Sequence, residues 1–412
     1  MERRDVVIIG GGPAGLAAAV ELKKRNIADV LIIEREKQLG GILRQCIHDG
    51  FGLTRFGESF SGPEYSQRFI DEAAALGIDA MTNATVIDLS PDKVVTVAAQ
   101  DGLKRIQANA VILAMGCRER TRGALAIPGS RPSGIYTAGV AQSYMNLYNT
   151  MVGKEIVIMG SGDIGLIMAR RFTLEGAHVK AVFEVLPYPS GLPRNIEQCL
   201  NDYDIPLYLS HSVINIVGDK RIEGVEVAQV DARMNPISGT NRYFPCDTLI
   251  LSVGLIPENE LSLAAGVELD VRTKGAFVDE SHQTSVPGVF AAGNVLHVHD
   301  LVDFVSLEAE SLAESAAQFI REGELPACGI ALTPSPEIGH IIPQKISGTR
   351  DFQLSLRVRK PVGKCKIVVR QGEREIKSVS LPKAIPAEMI QFAVSCEKIS
   401  SGEPIEVSVY ER

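Results

Sequence analysis

Asp5-Val-Val-Ile-Ile-Gly10-Gly11-Gly12-Pro13-Ala14-Gly15 opens a stretch that runs on to Glu34, and its pattern decides the fold. Residues 5–10 read as a short buried strand, with Val6 to Ile9 an apolar run of β-branched side chains. The glycines follow at once, then an apolar helical run from Leu16 to Leu22, and a second strand, Val30 to Ile33, ends on Glu34. In such a unit Gly10 makes the tight turn, Gly12 lets the backbone approach a pyrophosphate, and Gly15 lets helix and strand pack. Pro13 and Ala14 start a helix whose N-terminus faces the anion, and Glu34 takes the ribose hydroxyls at the far end.

The unit occurs twice. Glu155-Ile-Val-Ile-Met-Gly160-Ser161-Gly162-Asp163-Ile164-Gly165 leads into a helix to about Glu175, and the strand after it, residues 178–185, carries Glu184. First glycine and acidic residue stand 24 positions apart in both copies, 10 to 34 and 160 to 184. A single GxGxxG is weak evidence, because glycine turns often only end a strand. Strand, glycines, helix and carboxylate in order, twice, point to two bound dinucleotides. A carboxylate at Glu184 accepts from two ribose hydroxyls and repels a 2′-phosphate, and Val185-Leu-Pro-Tyr188 offers no arginine, so the internal copy is expected to favour a dinucleotide without a 2′-phosphate, NADH over NADPH if, as the resemblance given below implies, its ligand is a nicotinamide nucleotide.

Composition excludes several classes. The 412 residues are enough for two or three domains, and 45% hydrophobic with 22% charged residues describes an ordinary globular chain. A net charge of −8 argues against nucleic acid or an anionic membrane surface as partner. Met1-Glu-Arg-Arg-Asp5 enters the first strand at once, leaving no room for a signal peptide, and the longest apolar run, Val6 to Val20, is too short and glycine-broken to span a bilayer. Seven scattered cysteines with no CxxC suggest reduced thiols and a cytoplasmic setting.

Outward from the first unit, Gly40-Gly41 is a turn where the chain would pass the cofactor, and residues 42–62 read as an irregular loop. Ser61 and Glu64 have capping-box spacing for a helix from Pro63 to Gly77. Alternating runs at 78–81, 85–89, 94–98 and 103–107 read as a β-meander. Residues 110–116 form a buried strand ending on glycine, suited to a chain returning under a dinucleotide, and 248–254 repeat that pattern. Residues 117–154, rich in arginine, glycine and proline, read as a connection. A helical pattern spans 303–321, and 352–412 alternate as strands of an antiparallel sandwich.

The chain resembles the two-dinucleotide-binding-domain flavoproteins, the superfamily of thioredoxin reductase and the pyridine-nucleotide disulfide oxidoreductases, over roughly residues 1–325. Gly41-Ile-Leu-Arg-Gln-Cys46-Ile-His48 and Gly116-Cys117-Arg118-Glu119-Arg120-Thr121-Arg122 carry a narrower likeness to the NAD- and FAD-binding subunit found beside FAD-dependent dehydrogenases of glycerol 3-phosphate, opines or hydroxyproline. The resemblance implies an α/β fold of two Rossmann-like domains, with FAD-binding parts at 1–122 and 262–325, an inserted NAD-binding domain at 123–261, and a β-rich domain at 330–412. It implies FAD on the first glycine unit, with Arg35, Gly41, Val86, Ala114, Gly116, Gly293 and Asn294, and NAD(H) on the second, with Gly254. The family carries aspartate where Asn294 stands, so the ribityl contact here lacks a charge.

The implied activity is NADH:acceptor oxidoreduction through FAD, with electrons passing to or from a partner dehydrogenase of the glycerol-3-phosphate type, in a homo- or hetero-oligomer. No cysteine pair exists for disulfide exchange. Two alternatives remain: a self-sufficient NADH oxidase or peroxidase using Cys46, and a non-catalytic nucleotide-binding component of a dehydrogenase complex. Arg118, Arg120, Arg122 and Arg131 form a basic island that is either solvated surface or a docking patch. No metal is expected: His297-Val-His299-Asp300 sets two imidazoles on one side of an extended segment, with no further ligand evident nearby.

Overall fold

The strand Glu2–Ile9 lies inside a seven-stranded sheet, parallel to Val30–Ile33 on one side and to Gly102–Leu113 on the other. Asp79–Met81 extends the sheet beyond Val30–Ile33, and Val289–Ala291 pairs in parallel with the end of Gly102–Leu113. Strands buried on both faces need continuous apolar sequence, which Val6–Ile9 and Val111–Leu113 supply. The structure is a computed structural model in which residues 1–400 and 402–411 are described. The chain divides into two compact units, Met1–Cys117 with Pro257–Arg412, and Arg118–Ile256.

In the first unit the helix Pro13–Lys24 is buried from Ala14 to Val20, with Ala17, Ala18 and Ala19 in the core that it shares with the sheet and the long helix Val302–Glu322. Small side chains let two helices and a sheet approach closely. The helix Gly62–Ala75 begins with the capping box read from the sequence: Glu64 Oε2 accepts from the Ser61 N–H at 2.8 Å. The meander is present as Thr85–Leu89, Val94–Ala99 and Gly102–Leu113, antiparallel in register. One twelve-residue strand replaces the two short runs expected at 103–107 and 110–116. Its first half pairs antiparallel with the meander while its second half stays in the parallel sheet.

Residues 330–411 form two facing sheets within the same unit. Lys345–Ile346, Ile330–Pro334, Ile405–Glu411, Cys365–Gln371 and Arg374–Leu381 make one, and Ile338–Ile342, Phe352–Val358 and Ile390–Val394 make the other. Leu354, Leu356, Ile367, Val369 and Val407 fill the space between them. Ile330–Pro334 runs parallel to Ile405–Glu411, an exception in the antiparallel sandwich expected. Gln344 ties this layer to the rest: its N–H donates to the Val278 carbonyl, and its Oε1 accepts from the Val278 N–H at 2.8 Å.

The second unit holds a five-stranded parallel sheet, Ile135–Thr137, Thr248–Leu251, Glu155–Met159, His178–Glu184 and Leu207–Leu209. Three antiparallel strands, His211–Gly218, Ile222–Gln229 and Arg242–Pro245, follow. The stretch read as a connection is therefore structured. It supplies an edge strand at 135–137 and the helix Ala138–Tyr148, whose Ala138, Ala141 and Met145 are in the core. Among the described residues no helix is long and apolar enough to cross a membrane.

Candidate functional site

Gly10 has φ +110°, open only to glycine at low cost, and a Cβ there would stand 2.3 Å from the Ala114 carbonyl oxygen. Ala114 is held in place by donating its N–H to the Ile9 carbonyl at 2.9 Å. A Cβ on Gly15 would lie 1.9 Å from the Gly10 oxygen, so this glycine is demanded by strand–helix contact. Gly12 differs. Its backbone is extended, and a Cβ would meet only the Gly41 Cα at 3.8 Å. The protein itself leaves room at Gly12, between the loop and the Gly40-Gly41 turn. Pro13 opens the helix, and no side chain caps it, so its first N–H groups are left for an anion.

Glu34 is buried, and both its oxygens are engaged: Oε2 accepts from the Gly11 N–H at 2.8 Å and Oε1 from the Glu36 N–H at 2.8 Å. Arg35, next to it, is exposed and pairs loosely with Glu36. Ala84 donates to the Glu34 carbonyl, which brings the strand carrying half-buried Val86 past the same end of the unit. Gly116, at φ +73°, faces open space where the returning strand ends.

The second copy repeats this geometry. Gly160 has φ +93°, and a Cβ there would stand 2.1 Å from the Ser252 oxygen; Gly165 is closed in by the Ser252 side chain. The helix Asp163–Leu174 likewise has no side-chain cap at Gly162. Buried Glu184 accepts from the Ser161 N–H at 3.0 Å, the Ser161 hydroxyl at 2.6 Å, the Ser190 hydroxyl at 2.8 Å and the Leu186 N–H at 3.0 Å. These fill the roughly four acceptor positions of a carboxylate. Asp163 braces a neighbouring loop, accepting from the Leu192 N–H at 2.8 Å and Asn195 Nδ2 at 2.7 Å. Ile164 packs on the unit's core, and Gly254 faces open space at φ +99°.

After the strand Val289–Ala291, Gly293 has φ +75° and sits against Ala14 and Val305. Asn294 makes contacts within the protein: Oδ1 accepts from the His299 N–H at 3.0 Å, and Nδ2 donates to Cys117 Sγ at 3.6 Å. Cys46 donates its thiol to the Ile42 carbonyl at 3.4 Å, and burial pushes the thiol up to about 12. A thiolate nucleophile needs the opposite shift.

Three of the four island arginines, Arg118, Arg122 and Arg131, line a cleft of about 560 Å³ with Tyr136 and Val140, all within the second unit. Arg122 is committed elsewhere: its guanidinium donates to the carbonyls of Ile127, Pro128, Gly129 and Ser130. It closes a loop within the second unit.

The sequence offered no third ligand beside His297 and His299. The structure supplies Glu308, from the helix Val302–Glu322, with its Oε2 2.7 Å from His297 Nε2. Burial takes His297 down to about 4 and also lowers His282. Burial opposes the charge on Glu308, yet the neighbouring imidazoles hold its carboxyl well below the usual range. A glutamate nine residues downstream on an amphipathic helix reads as solvent-facing, so spacing alone did not signal it.

Residues 4–318 match the family described as pyridine nucleotide-disulphide oxidoreductase. The chain is 27% identical over 320 residues to one of the opine oxidase subunits of Agrobacterium tumefaciens, covering 70% of this chain and 61% of the relative. It is 26% identical over 308 residues to hydrogen cyanide synthase subunit HcnB of Pseudomonas aeruginosa, covering 70% and 66%. The chain thus spans about two thirds or less of the length of these curated relatives. The crystal structure of thioredoxin reductase from T. acidophilum superposes with a TM-score of 0.64 at 24% identity, over 77% of this chain and 99% of that one, which shows the fold. Members of the matched family bind FAD and a nicotinamide nucleotide. With two glycine units in the family's order and the family match over most of its length, the chain belongs to the pyridine nucleotide-disulphide oxidoreductases.

Proposed function

We propose that this chain oxidises or reduces NAD(H) through FAD and exchanges electrons with a partner dehydrogenase, foremost one of the glycerol-3-phosphate type. The observation that carries this reading is an uncrowded Gly12 in a loop whose other glycines are crowded: the fold does not need glycine there, and a pyrophosphate does. Gly10, Gly12, Pro13, Ala14, Gly15, Glu34 and Gly41 would hold FAD from one side, with Ala114, Gly116, Gly293 and Asn294 closing on the other. FAD, when bound, supplies the electron-accepting ring between nicotinamide and partner.

The chain's own part is to bind and orient. The uncapped N-termini at Gly12 and Gly162 present N–H groups to phosphate, and Glu184 receives a ribose diol once Ser190 and Ser161 turn their hydroxyls away. The carboxylate repels a 2′-phosphate. A partner role is supported by the absence of a CxxC and by relatives that are named as subunits, of opine oxidase and of hydrogen cyanide synthase. The raised Cys46 thiol weighs against the self-sufficient oxidase or peroxidase.

Stopped-flow flavin reduction with the two nucleotides tests the assignment. Losing the paired ribose bonds costs about 1–3 kcal/mol, so NADH should bind roughly ten- to a hundredfold more tightly than NADPH. Equal affinities would remove Glu184 from the role.

A further inference from the structure

Three of the chain's seven histidines gather round one carboxylate in the first unit, and a fourth stands against one of them. Glu308 Oε1 accepts from the Gly293 N–H at 2.8 Å, and Oε2 lies 2.7 Å from His297 Nε2, 3.4 Å from His299 Nε2 and 3.9 Å from His282 Nε2. The His340 ring stands edge-on to His297 at 5.8 Å. The side chains of His297, His299 and Glu308 are 0%, 1% and 7% exposed, so bulk water does not solvate them.

Hydrogen bonding within the protein accounts for only part of this cluster. Among the described residues Nε2 of His299, which faces Glu308, is buried with no hydrogen-bond partner, as are Nδ1 of His282, of His297 and of His299 and Nε2 of His340. Imidazole nitrogens in that state are unfavourable and rarely gather. The Arg357 guanidinium is committed elsewhere, held by Asp300 at 2.7 Å and by the carbonyls of Val298 and Pro386.

We propose that His297, His299 and Glu308 bind a divalent transition-metal ion, Zn²⁺ or Fe²⁺, with His282 in reach as a fourth ligand. The three donor atoms lie within 4.8 Å of one another, and bonds of about 2.0–2.2 Å in a tetrahedral site set ligands about 3.3–3.5 Å apart. Small side-chain rotations suffice. Two imidazoles and one carboxylate suit these ions; the absence of thiolate disfavours copper(I), and the nitrogen donors disfavour magnesium and calcium. The ion would fasten the bend after Gly293 to the helix Val302–Glu322, since Glu308 already holds the Gly293 N–H. The site stands independently of the electron acceptor proposed above.

The test uses the purified full-length protein with its flavin. Elemental analysis should find one zinc or iron ion per chain, either as isolated or after loading and dialysis. After chelation, Co²⁺ should restore one ion per chain, give visible bands beyond the flavin absorption, and raise the unfolding temperature. Glu308→Gln keeps an acceptor for the Gly293 N–H but removes the anionic ligand, and should weaken Co²⁺ binding at least about tenfold. His178→Asn, at an exposed histidine, should leave it unchanged. If Glu308→Gln does not fold, X-ray absorption on the unmodified protein decides: two or three imidazoles at about 2.0 Å support the site. A protein that retains no ion and shows no cobalt bands overturns the proposal and leaves a metal-free hydrogen-bonded staple. Unchanged binding by Glu308→Gln, or a shell with sulfur or with oxygen alone, overturns it equally.

Discussion

Gly12 and Gly15 lie three residues apart in one loop and are glycine for different reasons. At Gly15 a Cβ would run into the Gly10 oxygen at 1.9 Å, whereas at Gly12 it would find ordinary contact. Gly12→Val should therefore fold with a near-normal unfolding temperature yet purify colourless, while Gly15→Val should lose at least about 1–3 kcal/mol from overpacking. Flavin absorbance and thermal unfolding read both. A Gly12→Val protein with full FAD content would remove the loop from the flavin site. Cys46 gives a second prediction. With its thiol at about 12, only about one part in ten thousand is thiolate at pH 8, so alkylation should be slow and rise about tenfold per pH unit. The unfolded chain ionises this thiol near 9.0, below the folded value. Its burial therefore favours the folded state in full below pH 9, and that contribution fades as pH rises from about 9 to 12. Rapid alkylation at pH 7 would contradict the burial and reopen the peroxidase alternative.

At the scale of elements, the sequence was most legible where local pattern and tertiary role agree. The two glycine units, the Ser61–Glu64 capping box and the meander all announce themselves by spacing. The strand Ile135–Thr137 and helix Ala138–Tyr148 did not, because the arginine-, glycine- and proline-rich residues before them resemble a linker and the face the helix buries is mostly small, Ala138, Gly139 and Ala141, while Val140, Tyr144, Leu147 and Tyr148 stay exposed. Gly102–Leu113 was read as two strands because Ala108-Asn109 interrupts its apolar alternation. Glu308 was invisible because its meaning lies in residues brought near by the fold. Arg122, which the sequence leaves open between solvated surface and docking charge, donates to the carbonyls of the loop Ile127–Ser130. Arg122→Ala should destabilise the Arg118–Ile256 unit by about 1–3 kcal/mol, measured by chemical unfolding. Arg131→Glu, at an exposed position, should leave stability within about 0.5 kcal/mol. An unaffected Arg122→Ala would show that the loop does not depend on those bonds.

For the molecule as a whole, the proposed exchange with a partner sets the last expectation. A chain of net charge −8 with Arg118 and Arg131 lining one cleft offers a local basic surface to an acidic partner, with attraction that weakens as salt rises. Oxidation of NADH by oxygen alone should be slow, and turnover should quicken when the cognate dehydrogenase is added. Arg118→Glu with Arg131→Glu should slow only the coupled rate, leaving flavin reduction by NADH intact. Fast partner-free turnover abolished by Cys46→Ser would favour the oxidase instead. The clasp shared by both glycine units constrains anyone who would re-engineer this chain. Glu34 holds the Gly11 N–H and Glu184 the Ser161 N–H, so each carboxylate fastens its own loop. Converting the proposed nicotinamide site to a phosphorylated nucleotide means discarding the residue that keeps that loop shut. A small replacement at 184 would trade one defect for another. Glu184→Gln, which drops the charge but still offers an oxygen to Ser161, is the place for such a redesign to start, with an arginine introduced beside it.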